Sequence, residues 1–135
     1  MKKTGTILVA DDDSMMRYWL TSILNKGGYQ VIGEASNGED AITLCTELKP
    51  DLVLLDINMP KMDGMQALEE IRKSSPATMV LMVSVEASKE NFEEATMKGA
   101  AGFIVKPFDA DRLLEKIDSC FREKGLHQQP RFNAS

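Results

Sequence analysis

Short apolar runs alternate with longer segments of helical periodicity along this chain, and that alternation restricts the possible folds more than any other feature. The runs, rich in Val, Ile and Leu, fall at residues 7–10, 30–34, 52–55, 79–83 and 102–105. They are too continuously apolar for strands with one wet face and read as strands covered on both sides. Helical segments are expected between them, at about residues 14–26, 39–48, 65–73, 89–98 and 110–123. The first puts Met16, Leu20, Ile23 and Leu24 on one face and stops at Gly27-Gly28. The second is ended by Lys49-Pro50, because proline disfavours helical backbone in the residue before it. Strands and helices in strict alternation predict an α/β fold: a single doubly wound, five-stranded parallel sheet with helices on both faces. A chain of 135 residues is long enough to bury one core, and we expect one domain over residues 4–124 with a polar, mobile tail at 125–135.

The informative polar residues are those that close the apolar runs. Asp11-Asp12-Asp13 ends the first, Asp56 ends the third and is followed by Asn58 and Pro60, Ser84 ends the fourth, and Lys106-Pro107 ends the fifth. In a parallel sheet all of these lie at carboxyl ends of strands, where open α/β sheets bind ligands in a crevice. Carboxylates crowded on one rim repel each other, so a cation is required. An oxygen-rich site with one or two direct carboxylates suits Mg²⁺ or Mn²⁺. Lys106 adds a second positive charge and Ser84 a hydrogen-bond donor, which together suit a phosphoryl group. In that setting a carboxylate can act as nucleophile and form an acyl phosphate, and Asp56, after the central apolar run at 52–55, is the best placed.

Other residues have plainer readings. Asp13 or Ser14 is expected to cap the first helix. Cys45 and Cys120 fall beside apolar residues and read as buried, reduced thiols. The single histidine, His127, lies in the polar tail, which excludes a Cys/His zinc site. Met59, Met62 and Met65 read as packing residues, Trp19 has no evident site role, and Gly64 is expected to serve the backbone conformation of its loop.

The strings ILVADD (7–12), LLDINMPKMDG (54–64) and GAAGFIVKPF (99–108), in this order and at strand-end spacing, resemble those of bacterial response-regulator receiver domains, the chemotaxis type most of all. The resemblance covers about residues 6–124. It implies a flavodoxin-like sheet of strand order 2-1-3-4-5, which the periodicity alone leaves open. It further implies that Asp56 is the phosphoacceptor, that Asp12 and Asp56 hold the metal with the backbone carbonyl of Asn58, and that Asp11 acts mainly through a metal-bound water. Lys106 would contact the phosphoryl group, with a cis peptide bond before Pro107. Ser84 would be the switch hydroxyl and Phe103 the switch aromatic, here Phe where chemotaxis relatives typically carry Tyr. Asn58 and Glu86 would border the phosphoryl group and tune its lifetime, and this pair points to a fairly short one.

Function then follows as an expectation. The chain is a two-component phosphoacceptor switch, phosphorylated by a sensor histidine kinase and read by an output protein through the face formed by the fourth helix, fifth strand and fifth helix. It is not an enzyme beyond its own phosphorylation and dephosphorylation. The net charge of −5 argues against direct DNA binding. No stretch approaches the roughly 20 apolar residues of a membrane span, and no signal peptide is evident, so the cytoplasm is expected. A monomer or weak dimer is expected. Two alternatives stand beside this: a receiver cut from a longer regulator, and a small metal-dependent hydrolase with an aspartyl-phosphate intermediate.

Overall fold

The computed structural model describes residues 5–86 and 88–125. Its elements alternate without exception: β1 (Thr6–Ala10), α1 (Ser14–Lys26), β2 (Gln30–Ala35), α2 (Gly38–Leu48), β3 (Leu52–Asp56), α3 (Gly64–Ser74), β4 (Met79–Ser84), α4 (Lys89–Met97), β5 (Gly102–Val105) and α5 (Ala110–Glu123). The strands form one parallel sheet of order β2-β1-β3-β4-β5. The expected α/β fold and strand order are therefore present. His127 and the expected tail lie outside the described residues, apart from Gly125.

The period of two along each strand divides the core. Ile7, Val9, Leu52, Leu54, Leu81 and Val83 face Leu20, Ile23 and Leu24 of α1 and Leu113, Ile117 and Phe121 of α5. Leu8, Val53, Leu55, Val80 and Met82 face Ala41 and Cys45 of α2, Leu68 and Ile71 of α3, and Ala95 of α4. Every residue of β3 and β4 is buried, as expected for strands covered on both sides. The edge strand β2 departs from this, with Gln30 and Glu34 exposed, because it has a neighbour on one side only.

Each helix begins on a side-chain cap that satisfies an otherwise unpaired backbone N–H. Asp13 caps α1, Asn37 caps α2, Asp63 caps α3, Ser88 caps α4 and Asp109 caps α5. Of the third aspartate and the following serine, Asp13 is thus the residue that accepts from a helix amide, that of Met15. Both cysteines are free and buried. Burial pushes the Cys45 thiol up to about 12, which keeps it protonated.

At their carboxyl ends β3 and β4 each run one residue past the apolar run. β3 includes Asp56 and β4 includes Ser84, so these polar residues are held by the sheet ladder itself. Asp56 pairs with Val83, and Ser84 pairs with Val105. No helix among the described residues is long and apolar enough to cross a membrane.

Candidate functional site

Four strand ends converge at the carboxyl edge of the sheet. One carboxylate oxygen from each of Asp11, Asp12 and Asp56 lies within 4.8 Å of the others. Asp11 and Asp56 are buried, whereas Asp12 faces outward. Three anionic groups at that separation, open to solvent on one side, form a donor set matched to a hard divalent cation that keeps part of its water shell. Opposite them, Lys106 donates a hydrogen bond of 2.9 Å to Asp11 Oδ2 and stands 3.5 Å from Asp56 Oδ2. The Lys106-Pro107 peptide bond is cis.

The electrostatics follow from burial. Loss of solvation raises the Asp56 pKa, and the neighbouring Asp11 charge adds to this; Lys106 and the Asn58 N–H oppose it without cancelling it. At Lys106 burial disfavours the ammonium, yet the hydrogen bond to Asp11 and the charges of Asp56 and Asp11 outweigh it and hold the pKa above its ordinary value. The lysine is therefore charged across the physiological range, and Asp56 is a carboxylate short of favourable partners. Incoming positive charge is what Asp56 lacks.

The remaining sequence-derived residues surround this centre. Asn58 is exposed, and its backbone N–H donates to Asp56 Oδ1 at 3.3 Å. Ser84 is fully buried; its hydroxyl oxygen accepts from the Glu86 N–H at 3.0 Å, and its carbonyl accepts from the Lys106 N–H at 2.7 Å. Glu86 accepts from the Asn91 side-chain amide at 3.2 Å, so its carboxylate is turned toward α4. Phe103 is half-buried against the α3/α4 side of the core and meets Phe92 edge-on at 6.0 Å between ring centres. Trp19 packs on Phe108, beside Pro107. Met59 and Met65 are buried and Met62 packs against the same cluster, as packing residues should.

The role expected for Gly64 needs correction. Positive φ occurs at Gly28, Gly99 and Gly125 among the described glycines, and Gly64 is not one of them. What it supplies is space: a Cβ there would sit 2.3 Å from the carbonyl oxygen of Asp56 and 2.7 Å from the Cα of Ile57. Its N–H donates to the Ile57 carbonyl at 2.7 Å. Gly38 does the same from the other side, since a Cβ there would lie 2.2 Å from the Met62 carbonyl oxygen. The loop after Asp56 is thus clamped between the starts of α2 and α3. No sequence signal marked Gly38, because its partner is distant in the chain.

Arg17 is a second residue that the sequence reading passed over. Its guanidinium donates to the Asp11 carbonyl at 2.7 Å and to Glu34 Oε1 at 3.0 Å. As one of many charged residues on helices, it carries no motif.

Comparison with known proteins agrees with this geometry. Residues 7–118 match the response regulator receiver domain family. The chain is 44% identical over 112 residues to the chemotaxis protein CheY of Bacillus subtilis, covering 83% of this chain and 93% of that protein. It is 42% identical to CheY of Thermotoga maritima over 83% of this chain and 93% of the relative. Its fold superposes with a TM-score of 0.84 on a structure of the CheX-CheY-BeF3-Mg²⁺ complex from Borrelia burgdorferi, at 34% identity over 87% of this chain and 89% of that one. The chain therefore belongs to the response regulator receiver domain family, as a phosphoacceptor signalling protein and not a conventional enzyme.

Proposed function

We propose that residues 4–124 act as a phosphorylation switch in which Asp56 takes the phosphoryl group, with Mg²⁺ or Mn²⁺ held by Asp11, Asp12, Asp56 and the Asn58 carbonyl. The observation that carries this reading is the placement of one half-buried ammonium, Lys106, against two of three clustered carboxylates. When bound, the ion neutralises the acids and withdraws electrons from phosphoryl oxygens.

The chain's own groups do the rest. An Asp56 oxygen attacks the phosphorus of a phosphohistidine on a sensor histidine kinase. The P–N bond breaks, the imidazole leaves with its electron pair and is protonated, and an acyl phosphate forms on Asp56. Lys106 exchanges its carboxylate partners for a phosphoryl oxygen. The Ser84 hydroxyl, which accepts from Glu86 in this structure, donates to another. Because the Lys106 N–H is bonded to the Ser84 carbonyl, both responses pull on the adjoining ends of β4 and β5. Phe103 then exchanges its contact with Phe92 for space vacated near Ser84. Asn58 and Glu86 flank the phosphoryl group and set its lifetime.

An output protein reads the change on the α4/β5/α5 face, where Phe92, Met97 and Val105 are exposed. By linkage, a partner that prefers one state must bias phosphorylation in return. We place this cycle in the cytoplasm, where sensor kinases present their phosphohistidine.

The test is incubation with a small acyl-phosphate donor and Mg²⁺, followed by intact-mass measurement. One phosphoryl group should be added, with none after chelation of the metal or in Asp56→Asn. Addition without any divalent cation would overturn the reading.

A further inference from the structure

We infer that Arg17, held by Glu34, is a positioning residue for the metal site: it fixes the Asp11–Asp12 peptide and so presets Asp12 for the ion. The inference rests on the reading above, in which Asp11 and Asp12 hold a divalent cation.

The peptide group joining Asp11 to Asp12 begins at the Asp11 carbonyl. Its oxygen accepts from Arg17 Nη1 at 2.7 Å, a short, charge-assisted bond. The preceding peptide is fixed as well, because the Asp11 N–H donates to the Ala35 carbonyl at 3.0 Å. On its other arm the guanidinium is tied at 3.0 Å through Nε to the Glu34 carboxylate, one residue before Ala35. Both sides of Asp11 are therefore fastened to the end of β2, one directly and the other through a planar two-armed bridge. The Asp11 side chain is anchored separately, to Lys106 and to the Asp13 N–H. Asp12 has no comparable anchor among the described side-chain hydrogen bonds and is exposed, so its direction depends on the peptide plane from which it hangs. Arg17 itself is largely covered, with its side chain 18% exposed, as befits a structural bridge.

Charge alone would give the opposite sign of effect. A cation near three carboxylates competes with the metal, so removing Arg17 should tighten Mg²⁺ binding if its field were what matters. If it presets Asp12, removing it should weaken binding, because the ion must then order the loop itself. Groups that orient metal ligands from outside the coordination sphere commonly change affinity by about 10-fold or more.

The experiment measures the Mg²⁺ dependence of phosphorylation by a small acyl-phosphate donor in the full chain, together with direct calorimetric Mg²⁺ titration. In Arg17→Met the half-saturating Mg²⁺ should rise by about 10-fold, while the rate at saturating Mg²⁺ and the metal-free melting temperature stay close to wild type. Arg17→Lys keeps the charge but not the two-armed fork, and should fail to restore affinity. Glu34→Ala should shift affinity in the same direction and add nothing to Arg17→Met, since the two act as one unit. Unchanged or tighter Mg²⁺ binding in Arg17→Met, or full restoration by Arg17→Lys, would overturn the inference. Wild-type protein that neither binds Mg²⁺ nor accepts a phosphoryl group would instead overturn the underlying reading.

Discussion

Lys106 and Asp11, 95 residues apart in sequence, are joined by a 2.9 Å hydrogen-bonded ion pair at the carboxyl edge of the sheet. This pair, and the 3.5 Å approach of the same ammonium to Asp56, hold an acid cluster together before any metal arrives. Lys106→Met should leave two buried carboxylates without their counter-charge and cost about 3 kcal/mol of metal-free stability. Because the lysine also competes with the ion, the variant should bind Mg²⁺ more tightly, and saturating Mg²⁺ should recover much of the lost stability. Urea unfolding with and without Mg²⁺ checks both effects; equal metal-free stability would contradict them.

Asp56 behaves as a burdened carboxylate. Burial, then the Asp11 charge, raises its folded-state pKa above the unfolded value. A raised pKa means that the folded state binds the proton more tightly. The stability this contributes is full below the ordinary carboxylate range and is lost as pH rises through the elevated value. Metal-free Asp56→Asn should therefore be more stable than wild type at neutral pH, by something on the order of 1 kcal/mol. That advantage should shrink as pH falls through the same window, and thermal melts across pH in the presence of chelator measure it. Adding Mg²⁺ should reverse the order, since the ion stabilises the protein that retains the full set of carboxylates more than the variant that lacks one.

Gly64 approaches the Asp56 backbone too closely to carry a side chain. Gly64→Ala should cost about 2 kcal/mol or more, since the atoms in the way are backbone and cannot turn aside. It should also slow phosphorylation by displacing Asp56. An alanine variant with wild-type stability and rate would show that the loop yields easily.

Ser84→Ala separates acceptance from transmission. The variant should still take a phosphoryl group on Asp56, because the hydroxyl only responds to it. Amide chemical shifts of α4 and β5, and those of the Phe103 ring, should then move less on phosphorylation than in wild type. Equal shift changes would remove Ser84 from the relay.

Much of this was legible in the sequence because it is locally encoded. The continuous apolar runs give the strands and the polar residues that end them give the rim, so the placement of Asp11, Asp12, Asp56, Ser84 and Lys106 on one edge of the sheet follows from the sequence. Strand order is not encoded that way and follows from family resemblance, since β3 pairs with β1 and not with β2, the strand before it in sequence. Gly38, Gly64 and Arg17 show where the reading fell short. Their significance lies in what they touch, namely the Met62 carbonyl, the Asp56 carbonyl and the Asp11 carbonyl, and backbone contacts leave no residue pattern. Phe103 shows the same limit, because its edge contact with Phe92 is set by how α4 lies on the sheet.

The most direct test locates the phosphoryl group itself. After brief phosphorylation in Mg²⁺, borohydride reduction converts an acyl-phosphate aspartate to homoserine, which peptide mass spectrometry can assign to a position. Homoserine at position 56 alone is the predicted result. Homoserine at position 11 or 12, or none in protein whose intact mass shows a phosphoryl group, would contradict the account.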